Sequence, residues 1–365
     1  MAQRVYLHVG LPKTGTTFVQ TVLWENRPAL AEQGVVYPGV RRREHLWSTL
    51  VIRERPGLER RNPRAAGAWG RLLEQVADAP DGALISHEFL GAASAEQAKR
   101  ALADLGDVEA HIIVTARDLL AVLTSYWQEY VKHGFDSTLD AFPAGDELGD
   151  EWGWAAVDLQ GVLERWGASV PPERVHVVVL PEPGAPRETL VLRFAEVMGV
   201  DARGFDFEDA KPNSSLGVVE AELLRRISPR LDDFTSALDR GLWIRGYLAH
   251  DVLVPRGGDP FLPSAARVAD LAARADAAVD AVRAGGYDVM GDLDRLRVGA
   301  VPDLRHPEDV TDSELLDAAL GTIATMMGDL REIRRDNTRM QRELAAPPTR
   351  WDRLGERLRR LDPRR

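Results

Sequence analysis

Along the first half of this chain, short and continuously apolar runs alternate with stretches whose apolar positions recur every three or four residues. RVYLHVG at 4–10, VVYP at 35–38, ALISHEF at 83–89, HIIVTA at 111–116 and VHVVVL at 175–180 have strand length. Their lack of polar alternation is what a sheet buried on both faces requires. Between them the helical period predicts helices from Thr16 to about Ala31 and through AWGRLLEQVADA, AEQAKRALADL and LLAVLTSYWQEYVK. Strands separated by amphipathic helices predict an α/β fold, three layers with a central parallel sheet. After about Pro181 the pattern turns to helices and loops, clearest in ETLVLRFAEVMG, VVEAELLRRI and SAARVADLAARADAAVDAVRAGG.

From Ser313 to Ile333, Leu316, Leu320, Ile323, Met327 and Leu330 keep an alternating four-three spacing. That is the mark of a short coiled-coil seam or of a helix docked on the body, and docking is expected because the stripe then gives way to Arg334 and Asn337. AAPPT at 345–349 breaks the helix. Beyond it, Trp351, Leu354, Leu358 and Leu361 share one face with arginines opposite, a make-up able to lie on an anionic leaflet. A solvated or self-docked tail is the simpler expectation for so short a helix. The division expected is a main domain at 1–300, a helical extension at 301–345 and a basic tail at 346–365. Self-association through the C-terminal helices and a peripheral membrane contact are its candidate partners.

The net charge of -11 disfavours general binding to a polyanion. From Arg331 to Arg365, twelve arginines against six acidic residues give +6, which leaves -17 on the rest. The 365 residues hold no cysteine, which excludes disulfides, thiolate metal sites and thiol catalysis and suits a reducing cytoplasm. The N-terminal MAQRVYLHVGLPKTG has no apolar run of secretory or membrane-spanning length. A cytoplasmic protein is expected.

In folds of this class ligands sit beyond the carboxyl ends of the strands, which gives weight to GLPKTGTT, SHEF and ARD. HVGLPKTGTTFVQ has Gly10 and Gly15 at the spacing of a phosphate loop, with Thr17 at its hydroxyl position. Thr16 stands where a kinase or ATPase has its lysine, and Lys13 lies inside the loop instead. The loop Pro12 to Thr17, with its backbone N–H groups from Lys13 onward at the positive end of a helix, suits a phosphate, and Thr14, Thr16 and Thr17 add hydroxyls. A mid-loop lysine can neutralise charge on the oxygen bridging a transferred group to its leaving group, without a metal.

The PKTGTT loop resembles the 5′-phosphosulfate loop of the sulfotransferases that use 3′-phosphoadenosine-5′-phosphosulfate (PAPS). Arg117, directly after a buried strand, and Ser125, eight residues on, are similar to that family's 3′-phosphate site. KPNSSLG at 211–217 resembles an Asn-x-Ser-Leu segment of bacterial members, with Lys211 in reach of the nucleotide, and GYDVMGDLDRL resembles their closing Gly-Asp-Leu stretch, read as structural. The Arg-Lys-Gly run of the animal cytosolic members has no good copy here. The resemblance implies PAPS as co-substrate and sulfuryl transfer to a carbohydrate, lipid or other small-molecule acceptor, with no nucleic acid and no metal. His87 stands where cytosolic members place a catalytic histidine, and Glu88 fits the carboxylate of carbohydrate-type and many bacterial members. Adjacent strand residues face opposite ways, so one of the two should point away from substrate, and Glu88 is favoured as the base.

His45 in RRREHLW, after the second strand, is a candidate for the acceptor pocket, and Trp127, Trp152, Trp154, Trp166 and Trp243 are candidate acceptor walls or ordinary core. His8, inside the first strand, is expected in the core, and Asp118 is expected to be held by Arg117. Two other functions fit the same fold: a small-molecule kinase using ATP and magnesium, which Lys13 argues against, and a non-catalytic nucleotide-binding scaffold.

Overall fold

The computed structural model describes residues 3–143, 152–207 and 215–345. β1 (Arg4–Gly10) leads into α1 (Thr16–Glu25), α2 (Arg27–Glu32) and β2 (Val35–Val36). Next come α3 (Arg43–Ile52), the short α4 (Leu58–Arg61) and α5 (Pro63–Ala66), α6 (Ala68–Ala77) and β3 (Gly82–Ser86). α7 (Ala95–Ala103) precedes β4 (Glu109–Ala116), and α8 (Leu119–Lys132) and α9 (Leu159–Gly167) precede β5 (Val175–Val179). α10 (Glu188–Val197), α11 (Val218–Ile227), the single turn α12 (Ala237–Asp239), a π-wound helix Arg240–Leu253 and α13 (Ala265–Gly285) follow. β6 (Asp288–Met290) and α14 (Asp312–Ala345) close the described chain.

The strands form one six-stranded sheet in the order β2-β3-β1-β4-β5-β6, and every pairing is parallel. On β1 the side chains sort by face as the pleat dictates. Val5, Leu7 and Val9 pack with Leu72, Val76, Val162 and Trp166 of α6 and α9. Tyr6 faces the other way, into Val19 and Leu23 of α1, Phe194 of α10 and Met198 at its C-cap. The expected three-layer α/β fold is therefore present. From β1 the chain crosses to the edge strand β2, returns as β3 beside β1, and then passes to the other side, where β4, β5 and β6 follow outward, so β1 ends at the crevice where the strand order reverses.

Two local expectations are corrected. The helix after the loop ends at Glu25, because Asn26 caps it and Pro28 fits the first turn of the separate α2. β3 ends at Ser86, so His87 and Glu88 lie on a 3₁₀ turn at 88–92 and its cap rather than on a strand. Strand alternation therefore does not separate them.

A further, helical core is built on α8. Leu120, Leu123 and Trp127 pack with Leu224 of α11, Ile244 and Leu248 of the π-wound helix, Leu271 of α13, Val310 just before α14 and Leu315 in its first turn. α14 docks through Leu315, Ala318 and Thr322, which are buried. The four-three stripe does not dock: Leu316, Leu320, Ile323 and Met327 are 61%, 58%, 56% and 60% exposed. The docking face is the adjacent one, where small residues allow close approach. Among the described residues no helix is long and apolar enough to cross a membrane. Residues 346–365, including Trp351, lie outside the described residues.

Candidate functional site

The loop after β1 turns into α1 through backbone that few side chains tolerate. Gly15, the residue before α1, has φ 81°, and a Cβ there would stand 2.5 Å from Leu190 Cδ2. Gly10 has φ 135° and Lys13 φ 63°. Among the described residues no protein acceptor takes the N–H groups of Lys13 through Phe18, while the first amide after β1, Leu11, is bound to the Thr115 carbonyl at 2.8 Å. These N–H groups sit at the positive end of α1, an arrangement suited to an anion.

A buried polar network lies under the loop. His8 Nδ1 meets Ser86 Oγ at 2.7 Å and its Nε2 meets Thr115 Oγ1 at 3.2 Å. The Thr115 hydroxyl donates to the Gly10 carbonyl at 3.0 Å and contacts Thr14 Oγ1 at 2.5 Å. Thr14 in turn donates to the Leu11 carbonyl at 2.5 Å. Burial pushes the His8 pKa down to about 4, so the ring is neutral and can accept from Ser86 while donating to Thr115. His8 is the satisfied core residue expected. Thr14, fully buried, turns its hydroxyl inward and can offer a ligand only its N–H, which corrects the expectation of a third loop hydroxyl. Thr16 is buried and Thr17 exposed.

Lys13 reaches α8. Its ammonium is 2.9 Å from Glu129 Oε2, and the same carboxylate meets Arg245 at 2.5 Å and His133 at 3.7 Å. Burial alone would raise the pKa of Glu129, but His133, Lys13 and Arg245 outweigh it and hold the carboxyl well below its usual range. Glu129 stands one turn beyond Ser125 on the same face of α8. Ser125, half-buried, therefore shares the helix face that Lys13 touches.

Glu88 lies at the start of the loop. Its carbonyl is 3.1 Å from where a Cβ on Gly10 would be, and its Oε2 accepts from Gln20 Nε2 of α1 at 3.0 Å. Burial opposes ionisation of Glu88, but His87, its own N–H and Gln20 more than offset this and lower its pKa. His87 Nδ1 accepts the Phe89 N–H at 3.2 Å, which places the neutral ring's proton on Nε2. Burial lowers the pKa of His87 against the opposing pull of Glu88. His45, the acceptor-pocket candidate, faces the interior instead. It is 1% exposed on α3, with Nε2 at 2.8 Å from the Pro38 carbonyl and Nδ1 facing the Ser86 N–H at 3.4 Å. Both ring nitrogens are engaged inside the protein.

Arg117 follows β4 directly, exposed, with its Nε 3.6 Å from Asp118, a loose version of the expected pair. Asp118 also caps α8, accepting the Ala121 N–H at 2.8 Å. Arg117 borders a recess shared with Leu11, Trp154 and Arg274, whose guanidinium lies 4.4 Å over the Trp154 ring. Trp127 and Trp166 are core residues at 0% exposure, and Trp243 is half exposed. The Trp152 ring lies tilted against His133, with centroids 5.2 Å apart. Lys211 lies outside the described residues, and the end of its segment is tied to α8 by the Leu216 N–H on Gln128 Oε1 at 3.1 Å.

The structure thus brings Lys13, the loop amides, Glu88 and Ser125's helix face around the end of β1. Gln20, Thr115, Glu129 and Arg245 were not singled out in the sequence. Glu129 was within reach, one helical turn from Ser125. Arg245 was not, since its partner lies 116 residues away.

No family model matches this chain, and none of the curated proteins compared with it does. Among solved structures, the chain is similar to the crystal structure of a sulfotransferase from Alicyclobacillus acidocaldarius, with a TM-score of 0.39 and 16% identity, over 67% of this chain and 96% of that one.

Proposed function

We propose that this chain is a sulfotransferase that moves the sulfuryl group of PAPS to a hydroxyl or amine of a carbohydrate, glycolipid or other small-molecule acceptor. The observation that carries this reading is the run of N–H groups from Lys13 to Phe18 with no protein acceptor among the described residues, arched by a lysine in mid-loop rather than after the second glycine. In this reading the loop amides hold the 5′-phosphosulfate, and Arg117 and Ser125 hold the 3′-phosphate. The bond between sulfur and the bridging oxygen breaks as the acceptor oxygen attacks in line. Lys13, turned from Glu129 to the bridging oxygen, neutralises the charge that forms there.

The acceptor's proton goes to Glu88, whose lowered pKa keeps it ionised at neutral pH. His87 suits the role less well, since its basic nitrogen already receives the Phe89 N–H. His133 and Trp152, beside Glu129, offer an acceptor a polar and an aromatic wall.

Calorimetry with 3′-phosphoadenosine-5′-phosphate and with ATP, each with and without magnesium, tests the donor. Tight metal-independent binding of the bisphosphate is expected, weakened at least tenfold in Arg117→Ala. Magnesium-dependent preference for ATP would replace this reading with the kinase. Turnover on a panel of sugars, phenols and lipids follows: Glu88→Gln should lose on the order of 100-fold in kcat, the range of a general base, with bisphosphate binding kept. Binding without turnover on any acceptor would favour the scaffold, and full turnover in both Glu88→Gln and His87→Ala would remove the base assignment.

A further inference from the structure

The second half of α14 stands clear of the body. From Leu330 to Arg342 every residue is exposed, and the stripe that begins at Leu316 continues across it. Leu330, Ile333 and Met340 are 43%, 56% and 50% exposed. Met326, Ile333 and Met340 recur every seven residues beside the four-three row, so the apolar band widens toward the C-terminus. Trp243 extends it onto the body: its ring lies edge-on to Tyr247 at 6.5 Å, and Tyr247 donates to Asp329 of α14 at 2.8 Å. A projecting helix with such a band gains little from its own turns in water.

Charge selects the occupant and its direction. Residues 312–330 carry Asp312, Glu314, Asp317 and Asp329 and no lysine or arginine, whereas 331–342 carry five arginines against Glu332 and Asp336. A parallel pair would set Arg334 against Arg334 in the seam and align the two basic segments. We propose that two copies of this chain pair through antiparallel α14 helices, the basic segment of each lying along the acidic segment of the other. The heptad spacing then fixes the register: Ile323 of one copy packs on Met327 of its partner, Leu320 on Leu330, and the stem of Arg334 covers Leu316 with its guanidinium beside Asp317.

The absence of cysteine makes the test direct. Sedimentation equilibrium of the full chain should show a concentration-dependent dimer, weakened at least tenfold by Leu320→Glu and also by added salt. Both copies should keep their circular dichroism, since Leu320 is a surface residue. Under mild oxidation, Leu320→Cys mixed with Leu330→Cys should give a cross-linked dimer, while Leu316→Cys alone should not. A monomer at tens of micromolar, or efficient self-cross-linking of Leu316→Cys, would overturn the proposal. So would a dimer indifferent to Leu320→Glu, or recovery of the full chain as monomers on anionic vesicles.

Discussion

Glu129 meets three basic side chains, Lys13, Arg245 and His133, and is itself 14% exposed. Removing its charge leaves those groups facing one another with their attraction gone. Because Lys13 and Arg245 reach solvent, the cost is well below that of a fully buried pair, and Glu129→Gln should lower stability by about 1–2 kcal/mol in urea unfolding. An anion bound at the loop replaces the lost charge, so millimolar pyrophosphate should restore more stability to the variant than to the parent. Equal responses would mean that Glu129 and the loop ligand do not share Lys13.

At the scale of elements, the turn from β1 into α1 depends on one backbone conformation. Gly15→Ala puts a methyl group into Leu190 and into a left-handed backbone, so a loss of at least about 1–2 kcal/mol is expected. Bisphosphate affinity should fall with it, and a variant of parental melting temperature would refute the reliance on Gly15. Much of this element was legible beforehand. The strand, two glycines and hydroxyl run of HVGLPKTGTT mark a tight strand-to-helix turn because each is a local demand of that turn. The inward rotation of Thr14 was not legible, since it depends on Thr115, 101 residues away. The position of His87 as cap and Glu88 as first residue of a 3₁₀ turn escaped as well, because an apolar run does not reveal where its last ladder bond falls. α14 misled for a related reason: the conspicuous four-three stripe is the outward face, and the docked face is written in the inconspicuous Leu315, Ala318 and Thr322.

For the whole molecule, acid should be the weak side. Burial holds the His8 and His45 pKa values down to about 4 against an ordinary 6.5, and lowers His87 in the same direction. Between these values the unfolded chain binds protons that the folded chain refuses, so the sign is a loss of stability as pH falls. His8 and His45 should each cost about 2 kcal/mol between pH 7 and pH 5. Urea midpoints measured across that window should drop steadily, and His45→Gln should flatten the slope whatever its effect at pH 7. A midpoint unchanged down to pH 5 would show that these rings are not neutral inside the fold.

The floor beneath the loop has one more consequence. Ser86 can donate to His8 and His8 to Thr115, while the Thr115 and Thr14 hydroxyls donate to the carbonyls of Gly10 and Leu11. For the phosphosulfate of the proposed function, such a loop would be built in advance: little ordering of the chain would be left for the moment of capture, and selectivity at this end would rest on preset shape and charge rather than on a loop that moulds itself to what it meets.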